Sequence, residues 1–186
     1  WVQIIDGVSE QQVWVKAFPA SEAELWSLGE TIAEAVAPQI WTQIDLAERN
    51  RSLVLSTLAG DSYGLYWRAN ALMRQWERES GLEAMQLTQE LVAVNPNCAL
   101  SAGLAAFCHA NAFAFEWVAD LAAARRMAIR HFQDAVRLGG NNVEALGYAA
   151  GTLVAIRGNL AVADGLIDHG LSLLPAHQPT LFWGGW

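Results

Sequence analysis

The stretch from Glu144 to His177, EALGYAAGTLVAIRGNLAVADGLIDHGLSLLPAH, constrains this chain more than any other. Counted from Glu144, Gly151 falls eighth, Gly158-Asn159 fifteenth and sixteenth, Ala163 twentieth and Pro175 thirty-second. Gly151 and Ala163 let two antiparallel helices approach closely. Gly158-Asn159 supply a turn, and Pro175 forbids a further helical turn. The spacing predicts helix, short turn, helix, stop. Such a pair carries an apolar face that it cannot cover alone, so it folds by stacking on others of its kind.

Others of that kind precede it. Residues 62–77, opened by a break at Gly60 and a cap at Asp61, carry Tyr63, Tyr66, Trp67, Leu72 and Trp76 on a helical pattern. Ser80-Gly81 reads as the turn into a second helix over 82–94, which holds Ala84, Thr88 and Leu91 and is closed by Asn95-Pro96-Asn97. Residues 98–115 and 121–138 make another pair, with Ala128, Phe132 and Ala135 inward and Gly139-Gly140 in place of the proline. The tail LFWGGW, 181–186, begins a further helix. This punctuation resembles the tetratricopeptide repeat, although Gly147, Val154 and Gly170 stand where that repeat has an aromatic, a Tyr and an Ala. The resemblance implies a mostly α chain. Residues 61–186 are expected to form a tetratricopeptide-like α–α superhelix of about three helical hairpins.

The amino end follows a different rule. Val2, Ile4, Val13 and Val15 alternate with other residues at strand period, around Asp6 to Glu10. This predicts a β-hairpin over residues 1–20, with Trp1 and Trp14 as its anchors. Ser21-Glu22-Ala23-Glu24 forms a capping box. A helix follows with Leu25, Leu28, Ile32, Ala35 and Val36 on one face, broken or kinked at Pro38, and resuming through Ile40, Trp41, Ile44 and Ala47. Residues 21–60 are thus read as a connecting broken helix. The run IIDGVSEQQVWVKAFPASEAELWSLGETIAEAVAPQI resembles a join found in multidomain bacterial regulators, where the last hairpin of a TolB-like α/β domain enters a helix. Ile5-Asp6, Val13-Trp14, Phe18, Leu25-Trp26, Leu28, Ile32 and Val36 occupy the corresponding places, and Glu10 stands where the hairpin glycine usually sits. DSYGLYWRANALM resembles the helix that opens the repeat array of the same proteins. The resemblance makes residues 1–20 the remnant of a preceding α/β domain. A start at Trp1 rather than Met fits a piece of a longer protein.

Composition removes several functions. The net charge of −8 sets 19 acids against 11 bases, and such a surface repels phosphate backbones, which argues against nucleic-acid binding. Cys98 and Cys108 lie ten residues apart on one expected helix, a separation of roughly 15 Å along its axis that no disulfide spans. Reduced cysteines fit a cytoplasmic setting. The apolar run 98–115 is interrupted by Ser101, His109 and Asn111 and reads as a buried helix, not a membrane span. His109, His131, His169 and His177 show no metal-binding spacing. Nucleophile and phosphate-loop motifs are absent, so neither catalytic residues nor a cofactor are expected. Glu77, Glu79 and Glu83 read as a solvated rim, and Arg126, Arg130 and Arg137 as a solvated helix face. Trp26, Trp41, Trp67 and Trp76 are expected in the core, and Trp1, Trp14, Trp183 and Trp186 at the ends.

The resemblance implies a non-catalytic protein-interaction and regulatory scaffold of a bacterial transcriptional regulator. The alternatives are the same region of a class III nucleotide cyclase, and a small-molecule sensor with an apolar pocket among helices 98–115 and 141–156. A groove lined by the first helix of each pair would present Tyr66, Asn70, Arg74, Tyr148, Thr152 and Ile156 to a protein or peptide partner. The Lys/Asn carboxylate clamp of some tetratricopeptide domains is missing. The hairpin's unpaired edges are expected to join two copies as a homodimer.

Overall fold

The computed structural model describes residues 1–5, 7, 10–19, 21, 27–54, 61–175 and 177–185, with the side chains of 51, 53–54, 178–179 and 183 left out. The capping box at Ser21 to Glu24, Leu25, Trp26, the Gly60 break, the middle of the hairpin connection and Trp186 lie outside the described residues, as does the Trp183 side chain. The chain divides into two compact units, Trp1–Glu48 and Arg49–Trp186.

In the first unit, β1 (Val2–Ile5) and β2 (Gln12–Lys16) pair antiparallel. A bulge after Ile4 shifts the register, so Ile4 faces Trp14 and Ile5 faces Gln12. The half-buried face is therefore Val2, Ile4 and Trp14, while Val13 and Val15 are exposed. Trp14 leans on Phe18 at 6.5 Å, and the Lys16 ammonium lies 5.2 Å from the same ring. Trp1 is 90% exposed. Glu10 holds φ 57°, the left-handed conformation that the missing glycine would have taken freely.

Helix α1 (Leu28–Val54) is continuous through Pro38, contrary to the expected break. The proline costs one backbone hydrogen bond, while Ala33, Glu34, Ala35 and Ala37 before it favour helix. The Thr42 hydroxyl donates to the Pro38 carbonyl at 2.9 Å. Leu28, Ile32, Ala35 and Val36 are half-buried, but Ile40, Trp41 and Ile44 beyond the proline are exposed.

After the end of α1, the described residues of the second unit form three antiparallel helix pairs and one more helix. They are α2 (Ser62–Met73) with α3 (Arg78–Val94), α4 (Ala99–Ala114) with α5 (Leu121–Gly139), α6 (Val143–Ala155) with α7 (Leu160–Leu173), and then α8 (Gln178–Gly184). Each second helix touches its own first helix and the first helix of the next pair, and the first helices α2, α4, α6 and α8 touch in series. This is the expected tetratricopeptide-like order in a mostly α chain. Side chains of Asp61, Asp120, Asn142 and Asn159 accept backbone N–H bonds at the starts of α2, α5, α6 and α7.

The turns inside the pairs differ from expectation. The residues that take positive φ are Trp76 (57°), Glu116 (56°) and Arg157 (52°), none of them glycine. After α4 the Trp117 N–H reaches the Ala112 carbonyl and Glu116 N–H reaches Phe113. After α6 Gly158 N–H reaches Leu153 and Arg157 N–H reaches Val154. Both ends are Schellman motifs that cap orphan carbonyls. Gly158 serves by its missing side chain, since a Cβ there would lie 3.0 Å from Leu153 Cδ2.

Ser80-Gly81 is not a turn. It lies inside α3, whose first turn begins at Arg78. Gly81 is there because Trp117, arriving from the α4–α5 loop, occupies the space that a Cβ would take: Cζ3 of its ring would be only 2.1 Å away. Trp117 is buried, its ring stacks on Phe115 at 5.4 Å, and its carbonyl accepts Arg78 Nε at 3.1 Å. Phe132 is half-buried, packing at the edge of a cluster formed by Ala110, Ala128, Ala150, Leu153, Ile156, Ala163 and Ile167.

Gly81→Ala is expected to destabilise the chain by about 1–3 kcal/mol, the usual cost of overpacking a fixed core. Trp117→Phe, which removes the offending part of the ring, should recover part of that loss in the double variant. Thermal or urea unfolding of the single and double variants measures both. An unchanged melting temperature in Gly81→Ala would show that the ring is not locked there.

Candidate functional site

Four of the six groove candidates come together, Tyr66, Asn70 and Tyr148 inside the protein and Arg74 exposed beside them. Tyr66 and Asn70 sit one turn apart on α2, and Tyr148 reaches them from α6. The two tyrosine hydroxyls are 3.5 Å apart. Asn70, only 1% exposed, donates from Nδ2 to the Tyr66 oxygen at 3.3 Å and to the Tyr148 oxygen, and accepts Arg74 Nε on Oδ1 at 3.1 Å. Burial, reinforced by the Glu144 carboxylate, pushes the Tyr66 phenol far above its usual range. Burial does the same to Tyr148, with Tyr66 and Glu144 adding to it. Both phenols therefore stay neutral and serve as hydrogen-bonding groups.

The other two candidates stand apart. Thr152 is fully buried and its hydroxyl donates back to the Tyr148 carbonyl at 2.8 Å. Ile156 belongs to the apolar cluster shared by α4, α5, α6 and α7. Arg74 is the exposed member of the six. These residues do not line an open groove: the first-helix face that was to receive a peptide is filled by its own Tyr66–Asn70–Tyr148 cluster.

A second buried polar chain docks α8. Glu144, the first residue of the clearest repeat, meets His177, the last, with Oε2 3.0 Å from Nε2. The Thr180 N–H donates to His177 Nδ1 at 3.4 Å. The Thr180 hydroxyl lies 2.8 Å from the same Nδ1. Thr180 also fits against Gly170 of α7, where an added Cβ would come 3.3 Å from its methyl group.

Sequence reasoning passed over the histidine pair. His109 on α4 and His131 on α5 are both buried, with rings stacked 5.6 Å apart and 22° from parallel. Both nitrogens of His109 and Nδ1 of His131 have no hydrogen-bond partner among the described residues. Burial, then His131, pushes His109 down to about 4. Burial, then Arg130, lowers His131 against the pull of Asp134. The usable signal was helical phase, because His131 precedes the inward Phe132 and lies three residues after the inward Ala128.

Other chemistry is accounted for by structure. Cys98 and Cys108 are free, and burial pushes the Cys108 thiol up to about 12 against a hydrogen bond with Thr88. Among the described residues no three His, Cys, Asp or Glu side chains converge on a possible metal position, and no helix is long and apolar enough to cross a membrane. Glu83 pairs with Arg68 at 2.6 Å, and Arg137 with Asp134 at 2.9 Å. Arg126 and Arg130 are exposed. Trp67 is buried as expected, but Trp76 is 46% exposed and Trp41 is exposed.

No protein-family model, no curated protein and no solved structure matches the chain.

The histidine pair sets a pH dependence. A base lowered in the folded state is protonated first in the unfolded chain. Its contribution is therefore intact above the unfolded value near 6.5 and is lost as pH falls from there towards about 4. Between pH 7 and pH 5 the unfolding free energy should drop by about 2 kcal/mol through His109 alone, above the range where carboxylates dominate. Urea unfolding across this window measures it, and His109→Leu/His131→Leu should flatten the slope. An equal slope in that variant assigns the loss to other groups.

Proposed function

We propose that the helical stack is a protein-interaction and regulatory scaffold, the tetratricopeptide-like region of a bacterial transcriptional regulator, working in the cytoplasm without chemistry of its own. One observation carries this reading. First helices α2, α4, α6 and α8 adjoin in series while α3, α5 and α7 bridge each to the next. An array of this kind spends its residues on stacking and offers edges and turns to partners. A partner in this reading is a protein or peptide; the acidic surface suits neither nucleic acid nor an anionic membrane.

The competing reading is a small-molecule sensor, and it differs in one observable. A metabolite that binds only the folded chain raises its melting temperature with concentration. Thermal-shift screening against nucleotides, amino acids and sugars is expected to give no reproducible stabilisation. A saturable shift with any one of them would replace the scaffold by a sensor.

The hairpin supplies a second proposed contact. Strands β1 and β2 form a two-stranded sheet, and Ile5, Val13 and Val15 are exposed on it. A sheet this small is marginal alone and invites edge pairing between two copies. Sedimentation of the chain beside a version starting at Ser21 is expected to show a dimer that disappears with the hairpin. Monomers in both cases refute the pairing, and dimers in both move the interface to the helices.

A further inference from the structure

The aromatic surface where the α2–α3 turn meets the α4–α5 turn carries features that the fold does not need. Trp76 is 46% exposed and Phe115 is 54% exposed. Their rings meet edge to face at 6.1 Å and 82°, and Trp76 also stands edge-on to Phe107 at 6.1 Å. Phe115 is stacked on the locked Trp117 at 5.4 Å. The two outer rings thus stand on a rigid base with about half of their surface in water.

An acidic rim adjoins them. Glu77 follows Trp76, Glu79 lies two residues further on, Glu116 follows Phe115, and all three are exposed. None of the three has an ion-pair partner among the described residues. The nearby arginines are committed elsewhere: Arg78 to the Trp117 carbonyl and Arg74 to Asn70.

Two of these residues are poor local choices. Trp76 takes positive φ, where a bulky side chain is strained and glycine is not. Glu116 takes positive φ just past the C-terminus of α4, where the helix dipole disfavours a negative charge. The matching position after α6 carries Arg157, the sign that the dipole favours. Both local costs fall at one spot and build one surface, aromatic in the middle and negative at the edge.

We propose that this surface binds a basic segment of a partner protein, in which arginines alternate with apolar side chains. An arginine lies over the exposed ring of Trp76, an apolar neighbour packs against Phe115, and the other arginines meet Glu77, Glu79 and Glu116. Charge complementarity selects that occupant: an acidic or neutral apolar segment would leave three carboxylates facing a dry contact without partners. The inference deepens the scaffold reading by giving the chemistry of its partner. It can fail while that reading stands, because the scaffold reading falls on stabilisation by a metabolite and not on loss of this contact.

The test uses the whole chain and three labelled hexapeptides: Arg and Leu alternating, Glu and Leu alternating, and six arginines. Fluorescence anisotropy at near-physiological salt reads binding. The Arg–Leu peptide should saturate, and the Glu–Leu peptide should not bind. Six arginines should bind about tenfold more weakly than the Arg–Leu peptide, because the apolar contact is lost. Trp76→Gly, which suits the positive φ and so keeps the turn, should weaken the Arg–Leu peptide about tenfold, and Glu116→Arg similarly. The proposal is overturned by absence of saturable Arg–Leu binding, by equal binding of six arginines, or by unchanged affinity in Trp76→Gly with the fold intact by circular dichroism.

Discussion

Everything in the helical stack depends on α4 being buried on every side. From Ser101 to Ala112 each of its residues is buried, and α2, α3, α5 and α6 all pack against it. A helix with no solvent face cannot be amphipathic, and it can admit four neighbours only if most of its side chains are small. Ala102, Gly103, Ala105, Ala106, Ala110 and Ala112 meet that demand. A Cβ on Gly103 would lie 3.3 Å from the Ala145 Cα, and one on Gly139 would lie 3.3 Å from the Ala99 Cβ. The helix axes are thus set by backbone thickness, with little room for side-chain adjustment. The polar residues on α4 follow from the same burial. Asn111 returns its amide to the Phe107 carbonyl at 2.7 Å, Cys108 remains a thiol, and His109 remains neutral.

A stack held by small residues gains area but little register, because smooth surfaces slide. Trp117 and Thr180 supply the register. Each inserts into a notch left by a glycine on the preceding second helix, Gly81 on α3 and Gly170 on α7. Both are then tied by polar contacts: Arg78 to the Trp117 carbonyl, and Thr180 through His177 to Glu144. A large or branched side chain in a glycine notch fixes both position and rotation, which a row of alanines cannot do.

This division explains what the sequence disclosed. The helix cap at Asp61, the stops at Pro96 and Pro175, and the small inward residues of 121–138 are local signals, and they were read correctly. Ser80-Gly81 misled because a glycine needed for close approach looks the same in sequence as one needed for a turn. Its partner Trp117 lies well over thirty residues away. Helical phase assigned Trp76 to the core because its left-handed backbone, which takes it out of phase, leaves no mark in an apolar pattern. Of the groove candidates, Tyr66, Asn70 and Tyr148 meet across α2 and α6, a closeness that was not readable. That closeness depends on the small residues of α4 between them.

The same closeness decides where a partner can bind. In an open stack the first-helix face is concave and available. Here Asn70 satisfies two tyrosines and an arginine from one buried amide, so opening that face would strand several buried polar groups at once. Docking there would have to repay their desolvation before any contact with the partner counted. The turns between helices carry no such cost. They are also where Trp76 and Glu116 take positive φ without being glycine. Closure of the inner face follows from the small-residue core. The more completely α4 draws its neighbours together, the less of the stack's interior reaches the surface, which is why the proposed contact lies at the outer turns.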